Sequence, residues 1–281
     1  SLEQYQDTVL YREVVFAGQI QDDYGFKALK LNYAYEGDDT YQSVPLSISP
    51  TIKDQTYYYV FKLDSTHISA GGALKYYIEV IDNDQINGFK RSKTGTYSFK
   101  IPSKTEIAAE IAQGNQQVQQ EINKSLEKAN ELQESIKALD ERLKTKKELD
   151  WQDEKMMSDI LKQKEELSKR LEQLKKENQQ NNEKQNQFQP TSENVQQKMQ
   201  QLQEIMDNVL DEETRKLYDE LRELLEEQSD IETFREKVDE LNGNSQNLEE
   251  DIERTLELFK KLQFDMKLEE NIEKLEEAIE T

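Results

Sequence analysis

Two stretches hold side chains whose type and spacing suit chemistry. The first is "DNDQING", Asp82–Gly88. Asp82, Asp84 and Asn87 carry hard oxygen atoms beside a glycine turn, the donor set that calcium takes. A calcium loop of the EF-hand type needs oxygens at alternating positions, and Ile86 stands where the third should be. Asp22 and Asp23 complete such a site only if their loop converges on this one. The competing reading is a polar turn in which Asp and Asn side chains bond their own backbone, and the composition favours it. The second is His67, the only histidine. With no cysteine and no second histidine, it belongs to no multi-histidine metal site and no thiol-based or His-containing triad. It reads as a surface or strand-end residue.

Other catalytic signatures do not assemble. Carboxylates abound, but on helices of this density acidic pairs arise by chance, and none falls in a pocket-forming context. No G-x-x-x-x-G-K-[ST], G-x-S-x-G or H-E-x-x-H pattern occurs. The sequence therefore nominates no catalytic, cofactor-binding or metal-ligating residue and reads as non-enzymatic.

The elements that carry these residues divide the chain in two. Most glycines, prolines and tyrosines of the 281 residues lie before residue 103; Glu, Lys, Gln, Leu and Asn dominate after it. Net charge is −22. From Asp211 to Thr281 there are 25 acidic and 10 basic residues, a local net of −15. Such a chain is repelled by nucleic-acid phosphates and by anionic lipid headgroups, so nucleic acid is excluded as a partner. No apolar run reaches the length that spans a bilayer, and no signal peptide is present. The opening "SLEQYQDTVL" reads as part of something longer. Lack of cysteine suits an oxidising compartment.

Residues 8–102 show about seven short alternating runs with turn residues between them. They include "EVVFAGQI", "FKALKLNYAY", "YQSVPLSI", "TYYYVFKL", "LKYYIEVID" and "GTYSFKI". This pattern predicts a β-sandwich of immunoglobulin-like architecture. Tyr57, Tyr59 and Phe61 share one face, as do Tyr76, Ile78 and Val80. Pro45 and Pro50 push their run toward an edge.

After Pro102, Ser103 and Glu106 form a capping box, so a helix starts with almost no linker and a fixed junction is expected. Ile111, Asn115, Val118, Ile122, Ser125, Ala129, Leu132, Ile136, Leu139 and Leu143 follow a 4-3 spacing. That is a heptad seam about 50 Å long. "KTKKELDWQD" breaks it, and a second seam runs from Met157 to Phe188. The two predict an antiparallel coiled-coil hairpin over 103–190 with its tip near Asp150. Leu143 then meets Met157, Ile136 meets Lys164, Ala129 meets Leu171 and Asn115 meets Gln185. Trp151 falls at the tip, as a staple of the turn or a partner contact. Pro190 ends the hairpin, and further acidic helices fill 191–281. "NGNS" predicts a break near 243, with Gly243 as terminator and Ser245 as the next cap. Phe259 and Phe264 read as packing against the third helix, the alternative being a partner-binding ridge.

"QIQDDYGFKALKLNY", "YYIEVIDNDQINGFKRSKT", "TKKELDWQDEK", "LKKENQQNNEKQNQF" and "DIERTLELFKKLQFDMKLEE" together resemble a large Bacteroidota family of membrane-anchored envelope proteins carrying a domain of unknown function. The resemblance covers nearly the whole chain. It implies a β-sandwich followed by long acidic helices. It also implies a cell-envelope location, on the periplasmic side, with membrane attachment only through segments outside this chain. No catalytic residues come with it. Three functions fit: a scaffold or spacer that engages protein partners, a periplasmic holdase-type chaperone, and a calcium- or glycan-binding sandwich using Tyr24, Tyr57, Tyr58 and the Asp82–Gly88 loop. Oligomeric state is left open.

Overall fold

The computed structural model describes residues 1–63, 70–84, 86, 88–189, 191–209, 212–226 and 230–280. Eight strands precede five helices, and the chain separates into two compact units, Ser1–Glu110 and Ile111–Thr281.

The first unit holds two antiparallel sheets. The strands are β1 (Glu3–Gln6), β2 (Glu13–Gln21), β3 (Phe26–Tyr35), β4 (Gln42–Leu46), β5 (Asp54–Lys62), β6 (Ala73–Asp82), β7 (Arg91–Lys93) and β8 (Tyr97–Lys100). One sheet has the order β1-β2-β5. The other has the order β4-β3-β6-β7, with β8 also paired to β6. The period-2 pattern sets which side chains go inward. Val14 and Phe16 of β2 and Tyr57 and Phe61 of β5 are buried, as are Leu29 and Leu31 of β3 and Leu74, Tyr76 and Ile78 of β6. Phe16 meets Tyr76 edge-on at 4.8 Å between ring centres, and Tyr33 meets Phe61 at 4.7 Å.

Strand β1 lies ahead of the expected sandwich start at residue 8. "EQYQ" carries no apolar alternation, so only pairing with β2 defines it, Glu3 against Ala17 and Tyr5 against Val15. Residue 1 ahead of it is tied down as well: the Ser1 nitrogen donates to the Gln19 carbonyl at 2.7 Å, and the Tyr57 hydroxyl donates to the Ser1 carbonyl at 3.0 Å. A side chain at Gly18 would put its Cβ 2.3 Å from that carbonyl, so glycine is what allows the approach.

Helix α1 (Lys104–Leu143) begins as its capping box requires. The Ser103 N–H donates to Glu106 Oε2 at 2.8 Å, and the Glu106 N–H donates to Ser103 Oγ at 3.3 Å. The first unit extends past Pro102 through this helix's first turns. Ile107 is fully buried, and the Tyr11 hydroxyl donates to the Glu110 carboxylate at 3.2 Å.

The second unit contains the rest of α1 with α2 (Trp151–Phe188), α3 (Glu193–Asn208), α4 (Glu212–Glu226) and α5 (Ile231–Glu280). One apolar core runs through all five. It takes Leu132, Ile136 and Leu143 from α1 and Met157 and Leu167 from α2. Leu202, Leu221 and Phe234 join from α3, α4 and α5. Residues 103–190 and 191–281 therefore do not form separate cores.

Helices α1 and α2 do reverse at residues 144–150, but the pairing at the open end differs from the expected one. Asn181 Nδ2 donates to Asn115 Oδ1 at 2.7 Å, so Asn115 is engaged one helical turn away from Gln185. The cause is Gly114: a Cβ there would lie 2.5 Å from Asn181 Oδ1, and its absence seats the Asn181 side chain. Lys164, expected opposite Ile136, has its ammonium 4.9 Å from the centre of the Tyr218 ring.

The expected break near 243 does not occur. Helix α5 is continuous from Ile231 to Glu280. Gly243 costs the helix only about 1 kcal/mol, while Leu241 and Leu248 on either side are buried in the core. Ser245, rather than capping a new helix, is buried and donates its hydroxyl to the Asn242 carbonyl at 2.9 Å. By contrast Ser192 caps α3, its Oγ accepting from the Val195 N–H at 3.3 Å.

Candidate functional site

The calcium-type loops do approach each other, since Asn83 Nδ2 donates to the Tyr24 carbonyl at 2.9 Å. One carboxylate oxygen each of Asp22, Asp82 and Asp84 is nevertheless bonded to backbone. Asp22 Oδ2 accepts from the Tyr24 and Gly25 N–H groups at 3.0 Å each. Asp82 Oδ1 accepts from the Lys90 N–H at 2.8 Å, and Asp84 Oδ1 from the Ile86 N–H at 3.0 Å. These are polar turns that bond their own chain. Among the described residues no three His, Cys, Asp or Glu side chains gather as metal ligands. Asn87 and His67 lie outside the described residues.

The three tyrosines named for ligand binding are not equivalent. Tyr24 and Tyr58 are exposed, but Tyr57 points into the sandwich and is buried. Burial pushes its hydroxyl pKa up to about 12. The face that Tyr58 does share is the outer side of the β1-β2-β5 sheet. There the pairing lines up Glu3, Ala17 and Tyr58 in one row and Tyr5, Val15 and Val60 in the next. Tyr5 and Tyr58 are both largely exposed on it. Sequence inspection missed Tyr5 because β1 itself was not recognisable.

A dense polar constellation forms the turn between α1 and α2. Asp150 caps α2: its Oδ1 accepts from the Gln152 and Asp153 N–H groups at 2.9 and 3.1 Å, and Asp153 Oδ2 accepts from the Asp150 N–H at 2.9 Å. Arg142 Nε donates to Asp153 Oδ1 at 2.5 Å and Lys146 Nζ to Asp153 Oδ2 at 2.5 Å. Burial alone raises the Asp153 pKa. The bonds from Lys146, the Asp150 N–H and Arg142 outweigh it and hold the carboxyl below its ordinary value. The Asp150 carboxyl is lowered too, first by the bond from Lys146. A carboxylate so fully paired is held ionised and has no proton to trade, which makes this a structural lock. Trp151, the first residue of α2, stands 72% exposed beside it, with Lys155 Nζ 5.4 Å from its ring centre.

Elsewhere in the helices an apolar void of about 10 Å³ is lined by Ile122, Leu171, Leu174, Met206, Val209, Ile252 and Thr255. That is at the lower limit for a single water. Phe259 is buried as expected. Phe264 is not packed against α3 but 67% exposed, because the apolar face of α5 has turned by that point. No helix among the described residues is long and apolar enough to cross a membrane. The chain matches no known protein-family model and no curated protein.

Proposed function

We propose that this chain is a non-enzymatic scaffold or interaction module, a spacer segment of a membrane-anchored envelope protein that engages protein partners. The observation that carries the reading is the single apolar core shared by all five helices, in which buried acids such as Asp153 are consumed by ion pairs that hold the turn. These side chains hold long helices together, as a spacer requires. The envelope location rests on the family resemblance alone.

Two finer structural readings accompany it. Lettered in chain order, β1, β2 and β5 become A, B and E, while β3, β4, β6 and β7/β8 become C, C′, F and G. The sheets then read A-B-E and C′-C-F-G, an immunoglobulin-like arrangement in which the fourth strand joins C rather than E. The heptad spacing of α1 supports an antiparallel coiled coil with α2.

Solution scattering combined with light scattering tests the function. One or two copies per particle are expected; a closed cage of many copies would favour the holdase-type chaperone and overturn the scaffold. A second reading, sugar binding, draws on the exposed Tyr5 and Tyr58 flanking Val15, Ala17 and Val60. A thermal shift with oligosaccharides, lost in Tyr58→Ala, would support it.

A further inference from the structure

Helix α5 changes its apolar face near its C-terminal end. Val238, Leu241, Leu248, Ile252 and Phe259 are buried against the other helices. From Phe264 the apolar row becomes Phe264, Leu268, Ile272, Leu275 and Ile279, exposed by 67, 49, 47, 63 and 82%. At about 100° per residue the second row lies on nearly the opposite side of the helix from the first. The old side is taken by Glu270 and Glu273, which are exposed. Helix α3 begins at this level, with Lys198 paired to Asp265 and the Ser192 hydroxyl bonded to Glu269. The second row is thus not a frayed continuation of the core. It addresses something else.

Leu268, Ile272, Leu275 and Ile279 are spaced 4, 3 and 4 apart. That makes Leu the d residue and Ile the a residue of two successive heptads, the combination that favours two parallel strands. We propose that this strip is a self-association site on which a second copy of the chain docks in parallel and in register. The flanks agree with that orientation. The e positions are Glu269 and Glu276, and the g positions are Asn271 and Ala278. In a parallel pair, Glu276 of one copy faces Asn271 of the other, with no like charges opposed. An antiparallel pair sets glutamate against glutamate. An anionic lipid surface is a poor alternative for so acidic a helix. This inference deepens the scaffold reading and rests on it for its partner class; a strictly monomeric chain would end the inference and leave the scaffold standing.

Sedimentation equilibrium of the whole chain over roughly 1–500 µM tests it. The mass should rise from one copy to two, and Leu275→Glu should return it to one with unchanged circular dichroism. Asn271→Lys should tighten the pair roughly two- to tenfold by facing Glu276; in an antiparallel pair it would not. The chain has no cysteine, so Leu275→Cys should form an interchain disulfide on mild oxidation. A mass of one copy throughout overturns the proposal, as does a dimer indifferent to Leu275→Glu or loosened by Asn271→Lys. A monomer that binds a Lys-rich amphipathic peptide through this row would assign it to a basic partner and equally overturn self-association.

Discussion

Arg235 of α5 ties down the end of α1 and the turn after it, through the carbonyls of Leu143 and Lys146. Its Nη2 donates to the Lys146 oxygen at 2.7 Å, and its Nε donates to the Leu143 carbonyl at 3.2 Å. Helix C-termini leave carbonyls unpaired, and a cation there also meets the negative end of the helix dipole. One side chain, 92 residues further along than Leu143, therefore ties the last helix to the first turn-back. Arg235→Met keeps the aliphatic stem and removes both bonds. It should lower unfolding free energy by about 1–3 kcal/mol, read from urea unfolding followed by circular dichroism.

Gly243 lies inside α5, and a Cβ added there meets nothing within 4 Å. Gly243→Ala should therefore stabilise the protein by about 0.5–1 kcal/mol. A helix that really ended at this glycine would respond with a loss. The sign of the change in urea midpoint decides between the two.

The lock at the turn between α1 and α2 makes a pH prediction. The Asp150 and Asp153 carboxyls titrate below their ordinary range. A lowered folded pKa contributes stability above the unfolded value, about pH 4, and that contribution is lost as pH falls through the folded value. Stability should fall on acidification below about pH 4. In Asp153→Asn the slope should be shallower, and at pH 7 the variant should be weaker by about 1–3 kcal/mol because Arg142 and Lys146 lose a buried partner. Urea midpoints between pH 2 and 7 measure both.

Tyr57 and Tyr11 make the alkaline counterpart. Burial raises both hydroxyls to about 12, and for Tyr11 the neighbouring Glu110 charge adds to it. A raised tyrosine pKa favours the neutral form in the folded state. Its contribution is complete below the unfolded value of about 10 and is lost as pH rises toward 12. Phenolate absorbance should show these two groups ionising after the exposed tyrosines, and Tyr57→Phe should remove one late transition.

Gly25 has φ +110°, and a Cβ on it would lie 2.3 Å from the Pro50 carbonyl oxygen. That carbonyl accepts from the Phe26 N–H at 3.1 Å at the start of β3. Gly25→Ala should destabilise the sandwich by about 2 kcal/mol or more, through strain and the lost approach together. Thermal unfolding followed by tyrosine fluorescence reads it.

Wherever local chemistry is decisive, the residues alone predicted the structure. Alternation placed β2, β3 and β6, and the Ser103–Glu106 pair started α1. The two seams foretold the turn-back that Asp150 caps. Local chemistry was equally sufficient for the polar turns at Asp82 and Asp84, whose short carboxylates reach their own backbone.

Tertiary packing decided the rest. Strand β1 has no alternation to read and exists because β2 offers it an edge. The helix through Gly243 persists because buried Leu241 and Leu248 outweigh a single glycine's preference for a terminus. Asn115 takes Asn181 because Gly114 leaves room, a fact about the space between two helices and not about either seam. The same holds for α5: its sequence contains two apolar rows, but only the arrangement of its neighbours determines which is buried and which meets solvent. Periodicity specifies a face, whereas burial depends on what stands opposite it.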